Sequence, residues 1–409
     1  MYRAGPHAGP RRSAQYVGVR ILVAALGSPG HAFPLVPLTI ALHDAGHDVT
    51  VATGPDLEPT IATAGVPTRP VGRPLFEVFR ETMVARGMTG PPTTIQATRE
   101  IAGEVFGAAM PRLYAPALRD HLADRPADLV IAETGAPGAA LAARATGTPC
   151  VLHSFGRRPM PVAPFAVLVR EPLARVAAEV GIDVAAGDPL AHAYLDVCPP
   201  SMQDAETVDV LAGLTELPLR PTGWNPPTPF TARRRPDVPW VLLTLGTAFG
   251  DAGVLRAAVE GLASPDLDVL VATGSVDAGE LTDLDRDGVQ VEPFVPQAEL
   301  LRGDDPPAVV VHHGGSGTTL ACAAAGVPQL FLPQGADQFF NAAAVVRVGA
   351  GRQLLGPDAT PPAVGKELRD LLDDGPGRAS ARALAAEIAA MPSPGDVAAR
   401  VADWAQPAM

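Results

Sequence analysis

From residue 19 onward the chain alternates short apolar runs with stretches whose apolar residues recur at helical spacing. Residues 19–25 form the first such run, interrupted only by Arg20, 35–45 carry the helical period, and 48–53 are apolar and β-branched again. The same rhythm returns at 128–132 and 149–153, with a helical stretch between them. Runs of this length suit strands buried on both faces, and their alternation with helices predicts an α/β fold built on parallel sheet. The rhythm stops at residues 221–239, which hold six prolines and three consecutive arginines and read as a linker. It then restarts, with strands expected at 240–245, 267–272, 289–292, 308–312 and 329–332 and a helix at 254–262. Two α/β halves follow, 18–220 and 240–390, with a terminal segment 391–409 that includes an amphipathic stretch at 397–404. Residues 72–110 and 155–200 break the rhythm and read as irregular insertions of the kind that line a variable site. Residues 1–17 show no periodicity and read as a disordered leader or as sequence ahead of the true start.

Composition narrows the function. A length of 409 residues suits two domains of roughly 200 residues each. The 44 acidic residues exceed the 31 basic ones, for a net charge of −13, which disfavours nucleic acid as a partner. The chain contains one lysine, Lys366, on an amphipathic surface stretch. Schiff-base chemistry would have to use it, and no P-loop surrounds it. Cys150, Cys198 and Cys322 are scattered and odd in number, which fits a reduced, cytoplasmic protein. No apolar run approaches the ~20 residues of a membrane span. The pair Arg11-Arg12 ahead of an apolar run has the look of an export signal, but Arg20 interrupts that run, and a first buried strand explains it better.

Chemistry concentrates at strand ends. The strand ending near residue 312 runs into His312-His313-Gly314-Gly315-Ser316-Gly317-Thr318 and then into an alanine-rich helix. A glycine turn at a helix N-terminus offers free N–H groups and a favourable dipole to a phosphate. Ser316 and Thr318 could add hydroxyl donors, and a histidine at the strand end could donate to a phosphate oxygen. A tight turn without ligand is the alternative. Asp337-Gln338 follow the next strand and suit vicinal sugar hydroxyls, unless Asp337 merely caps the following helix. Phe294-Val295-Pro296-Gln297 follow the strand at 289–292 and offer an aromatic face for a nucleobase, or simply core and turn. In the first half, His31 follows the first strand on the loop Gly27-Ser28-Pro29-Gly30, with a pKa near ~6.5 that suits a general base. Glu133, at the end of the strand from residue 128, is the candidate carboxylate to orient it. His153 reads as a packed rim histidine.

Taken together, these motifs resemble glycosyltransferase family 1 of the GT-B fold, the antibiotic and macrolide natural-product type, over nearly all of residues 19–405. The resemblance implies two Rossmann-like α/β domains facing a cleft. The first binds the acceptor, the second binds the nucleotide sugar, and the terminal helix crosses back onto the first with Trp404 as its anchor. It implies His31 as catalytic base, although Ser28 and Pro29 depart from the commoner loop, and Glu133 as its partner where the family usually has Asp. It places Phe294 on the base, the Val295 backbone against the base edge and Gln297 on the ribose. His312 and the amides of Gly317 and Thr318 would hold the diphosphate, Gly246-Thr247 would face it, and Asp337-Gln338 would clamp the sugar. The doubled histidine and the Ser-Gly-Thr turn resemble the subgroup that uses dTDP-deoxysugars on polyketides.

The implied reaction is inverting transfer from a dTDP-deoxysugar or UDP-sugar to an apolar polyketide or aromatic aglycone, with no cofactor and no required metal. Phe76, Phe79, Phe106 and Phe155 are the candidate acceptor-binding residues, with Met83, Met88, Met110, Met160 and Phe165 nearby, unless these apolar positions are local core. Two other readings are a nucleotide-sugar epimerase or hydrolase of the same fold and a non-catalytic auxiliary partner of another transferase. A homodimer is left open. None of the proposed donor motifs contains Lys or Arg, so the donor diphosphate would rest on backbone amides, the helix dipole and His312.

Overall fold

The computed structural model describes residues 18–90, 94–158, 164–182, 184, 190–204, 213–247 and 250–405. The expected leader at 1–17, Met160 and residues 406–409 lie outside the described residues, as does the side chain of Phe165.

Two parallel sheets form among the described residues. The first contains β1 (Arg20–Ala24), β2 (Asp48–Thr53), β3 (Thr68–Pro70), β4 (Leu129–Glu133), β5 (Cys150–His153), β6 (Ala193–Asp196) and β7 (Thr215–Pro218). Its order is β3-β2-β1-β4-β5-β6-β7. The second contains β8 (Trp240–Thr244), β9 (Asp268–Ala272), β10 (Val289–Glu292), β11 (Val309–His312), β12 (Gln329–Phe331) and β13 (Gly351–Gln353), in the order β10-β9-β8-β11-β12-β13. Strands β4, β8 and β9 are buried along their whole length, which accounts for the apolar runs Leu129–Ala132, Trp240–Leu243 and Val269–Ala272 that make up all but one end residue of each. Both sheets are doubly wound, so each has a switch point where strand order reverses, β1/β4 in the first and β8/β11 in the second. In open α/β sheets ligands bind beyond the carboxyl ends of the strands at that point.

Two segments expected to be irregular are largely ordered. Residues 72–110 contain helices Leu75–Ala85 and Ile95–Glu104 and a π-helical turn Val105–Ala109, and 155–200 contain helix Pro164–Glu179 and β6. Their proline and glycine content had masked an ordinary helical period. Thr94, for example, caps its helix by accepting from the Ala97 amide.

Residues 221–239 contain no helix or strand and lie along the second half. The three arginines pair there with acids of the second half, Arg233 with Asp285, Arg234 with Asp305 and Arg235 with the buried Asp268. The chain crosses between the halves twice, and the crossings touch. Arg220 donates through its backbone N–H to the Pro392 carbonyl at 2.7 Å and through its guanidinium to the carbonyls of Met391 and Ala389. After the second crossing, a capping box between Ser393 and Asp396 starts a helix at Pro394–Ala398, earlier than the 397–404 expected, followed by a 3-10 turn Val401–Asp403. Trp404 is buried in the same apolar cluster as Ile21 and Leu42 of the first half.

Candidate active site

The two switch points hold the candidate residues. His31 sits in the short helix Pro29–Ala32 that follows β1, and Glu133 is the last residue of the adjacent β4. His31 Nδ1 lies 3.1 Å from Glu133 Oε2, with the carboxylate fully buried and the histidine side chain 17% exposed. The contact is an ion pair when His31 is protonated, and the ring N–H lies off the line to the oxygen. Glu133 Oε1 is fixed separately, accepting from the Gly135 amide and the Thr134 hydroxyl. Gly135 was not foreseen. A side chain there would put its Cβ 2.8 Å from His31 Nδ1, so glycine is what lets the ring sit against the carboxylate. Burial works to lower the His31 pKa, but the Glu133 charge, its hydrogen-bonding contribution and the more distant Asp337 charge outweigh it, leaving the pKa above the ordinary 6.5. Neighbouring His153 is different. It is wholly buried, its pKa falls to about 4 because burial dominates, and its Nδ1 is taken by the Ser154 carbonyl.

Aromatic rings wall this site. Phe155 lies 4.6 Å from the His31 ring, centroid to centroid, and Phe106 lies 5.9 Å away. Phe79 meets Phe106 edge-on at 5.7 Å. Phe106 is on the π-helical turn, a local widening of the helix that is frequent at functional sites. Three of the four candidate acceptor rings are thus brought together. Phe76 is 57% exposed on helix Leu75–Ala85, away from this cluster of ring contacts.

On the opposite side, β11 runs into the turn at 312–318 and helix Ser316–Ala325. No side chain caps this helix, since its N-cap is Gly315, and Gly317 at its first turn is exposed. The first-turn amides therefore have no side-chain acceptor, and a Cβ on Gly317 would meet nothing within 4 Å among the described residues, as an anion site at this helix start requires.

The expected role of His312 is corrected. It is fully buried, its Nδ1 accepts from the Gly314 amide at 3.2 Å, and its Nε2 is 2.9 Å from Gln329 Oε1 on β12. Both ring nitrogens are used inside the protein, so none points at a phosphate. Burial, with the neighbouring His313 adding to it, drives its pKa down to about 3 and keeps it neutral. His313 packs against Gly246 and Gly315, where an added Cβ would come within 2.5 Å of its ring. Gly246 also has φ of +76°, so glycine is required there twice over. Thr247 beyond it is exposed.

Ser316 likewise differs from expectation, because its hydroxyl donates to Asp337 Oδ2 at 2.7 Å. Asn341, not foreseen, donates to the same oxygen at 2.9 Å and to the Gly314 carbonyl at 2.9 Å. Asp337 does not cap its helix. Its carboxylate is held over the turn instead. Gln338 is buried, and its Oε1 accepts from the amides of Gln334 and Gly335, bracing the loop that carries Asp337. Gln297 and Thr318 approach at 3.4 Å, Val295 is buried, and Phe294 presents a 37% exposed ring beside them in sequence.

The sequence profiles of two domains match this chain, the erythromycin biosynthesis protein CIII-like N-terminal domain over residues 40–218 and the CIII-like C-terminal domain over residues 256–404. The elloramycin glycosyltransferase ElmGT of Streptomyces olivaceus is 35% identical, covering 94% of this chain and 97% of its own length. The L-demethylnoviosyl transferase of Streptomyces niveus is 32% identical, covering 93% of this chain and 97% of its own. Among solved structures, the glycosyltransferase SsfS6 of Streptomyces sp. SF2575, complexed with thymidine diphosphate, superposes with a TM-score of 0.73 at 31% identity, covering 94% of this chain and 99% of its own.

Proposed function

The chain belongs to the EryCIII-like family of natural-product glycosyltransferases of GT-B fold, which move a sugar from a nucleotide sugar to an aglycone, and from that premise we propose an inverting transfer from a dTDP-deoxysugar with His31 as base. The observation that carries the base assignment is the 3.1 Å pairing of His31 Nδ1 with the buried Glu133. With Nδ1 turned to the carboxylate, Nε2 is the ring atom left for the acceptor. The acceptor oxygen attacks the anomeric carbon as its proton passes to Nε2, and the bond from that carbon to the diphosphate oxygen breaks on the far side. Glu133 stabilises the imidazolium that forms. The departing diphosphate takes its charge to the uncapped amides of Ser316, Gly317 and Thr318 and the dipole of their helix.

The choice of thymidine nucleotide is supported by the thymidine diphosphate bound in the SsfS6 structure. Phe294 would stack on the base, the Val295 backbone and Gln297 would reach base edge and ribose, and Asp337 and Gln338 would meet the sugar. Asp337 would do so through Oδ1, since Oδ2 already accepts from Ser316 and Asn341. Phe79, Phe106 and Phe155 line an apolar place for the aglycone next to His31, and these aromatic rings suit an aromatic or polyketide aglycone.

The test is to incubate the protein with a panel of dTDP- and UDP-sugars and aromatic polyketide aglycones and to measure product mass and anomeric configuration. A glycoside of inverted configuration formed from a dTDP-sugar is the expected result. Retained configuration would overturn the direct displacement, and exclusive use of UDP-sugars would overturn the donor assignment.

A further inference from the structure

The five residues after β5, Ser154 to Arg158, touch both sides of the cleft. Phe155 stacks beside the His31 ring at 4.6 Å. Gly156 abuts the turn of the other half so closely that a Cβ on it would lie 2.1 Å from Ser316 Oγ and 2.6 Å from Ser316 Cβ. Arg157, whose side chain is 8% exposed, reaches across. Its Nη1 donates to the Phe340 carbonyl at 2.9 Å, while Nε and Nη2 hold the Met202 carbonyl at 2.7 Å and Asp204 at 2.6 Å on its own side. The second oxygen of Asp204 accepts from Arg347 at 2.8 Å. Phe340 and Arg347 lie near the two ends of helix Gln338–Arg347, which starts next to Asp337.

From this arrangement we infer that Gly156 and Arg157 are positioning residues that set the catalytic distance between the two halves. Gly156 permits the contact and Arg157 holds it. The inference rests on the transferase reading above, in which the base belongs to one half and the leaving-group site to the other. Under that reading the separation of the halves is the separation of base and donor, and a misplacement of about 1 Å costs on the order of a hundredfold in rate. Glycine is the one residue type that lets this loop sit so close against the Ser316 side chain. Arg157 holds three acceptors with one rigid fork, which an ammonium group does not do.

The experiment is a double-mutant cycle with a second, activity-independent measurement. Transfer rate and small-angle X-ray scattering are measured for wild type, Gly156→Ala, Ser316→Gly and the double variant. Gly156→Ala lowers kcat about tenfold or more and enlarges the radius of gyration, because the new methyl meets Ser316. In the Ser316→Gly background the same substitution costs less than about twofold, since the atoms it would meet are gone. Equal cost in both backgrounds, or no cost in either, overturns the contact. Arg157→Lys keeps the charge facing Asp204 but loses the three-way grip, and lowers kcat several-fold with an enlarged radius. A lowered melting temperature with kcat unchanged would make Arg157 a brace of its own half and overturn its part. If no sugar is transferred by wild type, the functional reading fails, and scattering alone still decides this inference. An unchanged radius in Gly156→Ala and Arg157→Lys then overturns it.

Discussion

The molecule places a histidine at the switch point of each sheet, and the two behave oppositely. His31, beyond β1, faces a buried carboxylate and is held above its ordinary pKa. His312, at the end of β11, faces a buried amide and is driven to about 3. Burial acts on both in the same direction, so the neighbour decides. A carboxylate makes a histidine that can take a proton and keep it. A neutral amide makes one that holds a loop in place. Position in the fold therefore does not assign chemistry to a strand-end histidine, whereas direct contact of its ring with a carboxylate does: His153 lies in register with Glu133 on the next strand, turns its Nδ1 to the Ser154 carbonyl instead, and is driven to about 4.

Breaking each histidine should break different properties. His31→Ala is expected to give the largest effect, a fall in kcat of roughly 100- to 10,000-fold with thymidine diphosphate affinity and melting temperature little changed. Calorimetry and steady-state rates check it, and survival of near wild-type transfer would remove His31 as base. His312→Ala should instead destabilise, by about 2–4 kcal/mol in urea unfolding, because it leaves a cavity and strands Gln329 and the Gly314 amide. A stable variant that has lost nucleotide binding would restore His312 to the diphosphate. The smallest effect sharpens the comparison. Glu133→Gln gives His31 the kind of neutral neighbour that His312 has. With the raising charge gone and burial left, the His31 pKa drops. The base must be neutral to act, so the acidic limb of the kcat/KM profile moves to lower pH, while kcat falls about tenfold or more for want of imidazolium stabilisation. An acidic limb that stays in place would show that some other group titrates.

Strands β4, β8 and β9 were legible in the sequence because burial on two sides demands long apolar runs, whereas the equally buried β6, only Ala-Tyr-Leu-Asp, was not. The edge strands β3, β7 and β13 were not, because three or four half-exposed residues such as Thr-Arg-Pro, Thr-Glu-Leu-Pro and Gly-Arg-Gln carry no such demand. Within the site, the same division holds. His31, Asp337 and the 312–318 turn stand at strand ends within compact motifs and were readable. Asn341, Gly135 and Gln329 act through partners that only the fold supplies. Gln329 lies 17 residues from His312, and Arg157 lies 183 from Phe340. Ser316 shows the cost of reading locally. Its place on a phosphate-type turn pointed to the ligand, while its hydroxyl is spent on Asp337, 21 residues further on.

The two touching crossings between the halves, tied through Arg220 to Ala389, Met391 and Pro392, bear on how the cleft can move. A single tether would let one half tumble about three axes relative to the other. Two tethers bonded side by side, with the linker arginines fastened to the second half, act as the pin of a hinge and leave rotation about one line. Under the proposed transfer, opening to admit substrates and closing to react would retrace the same arc, and each return would bring His31 back to the same place.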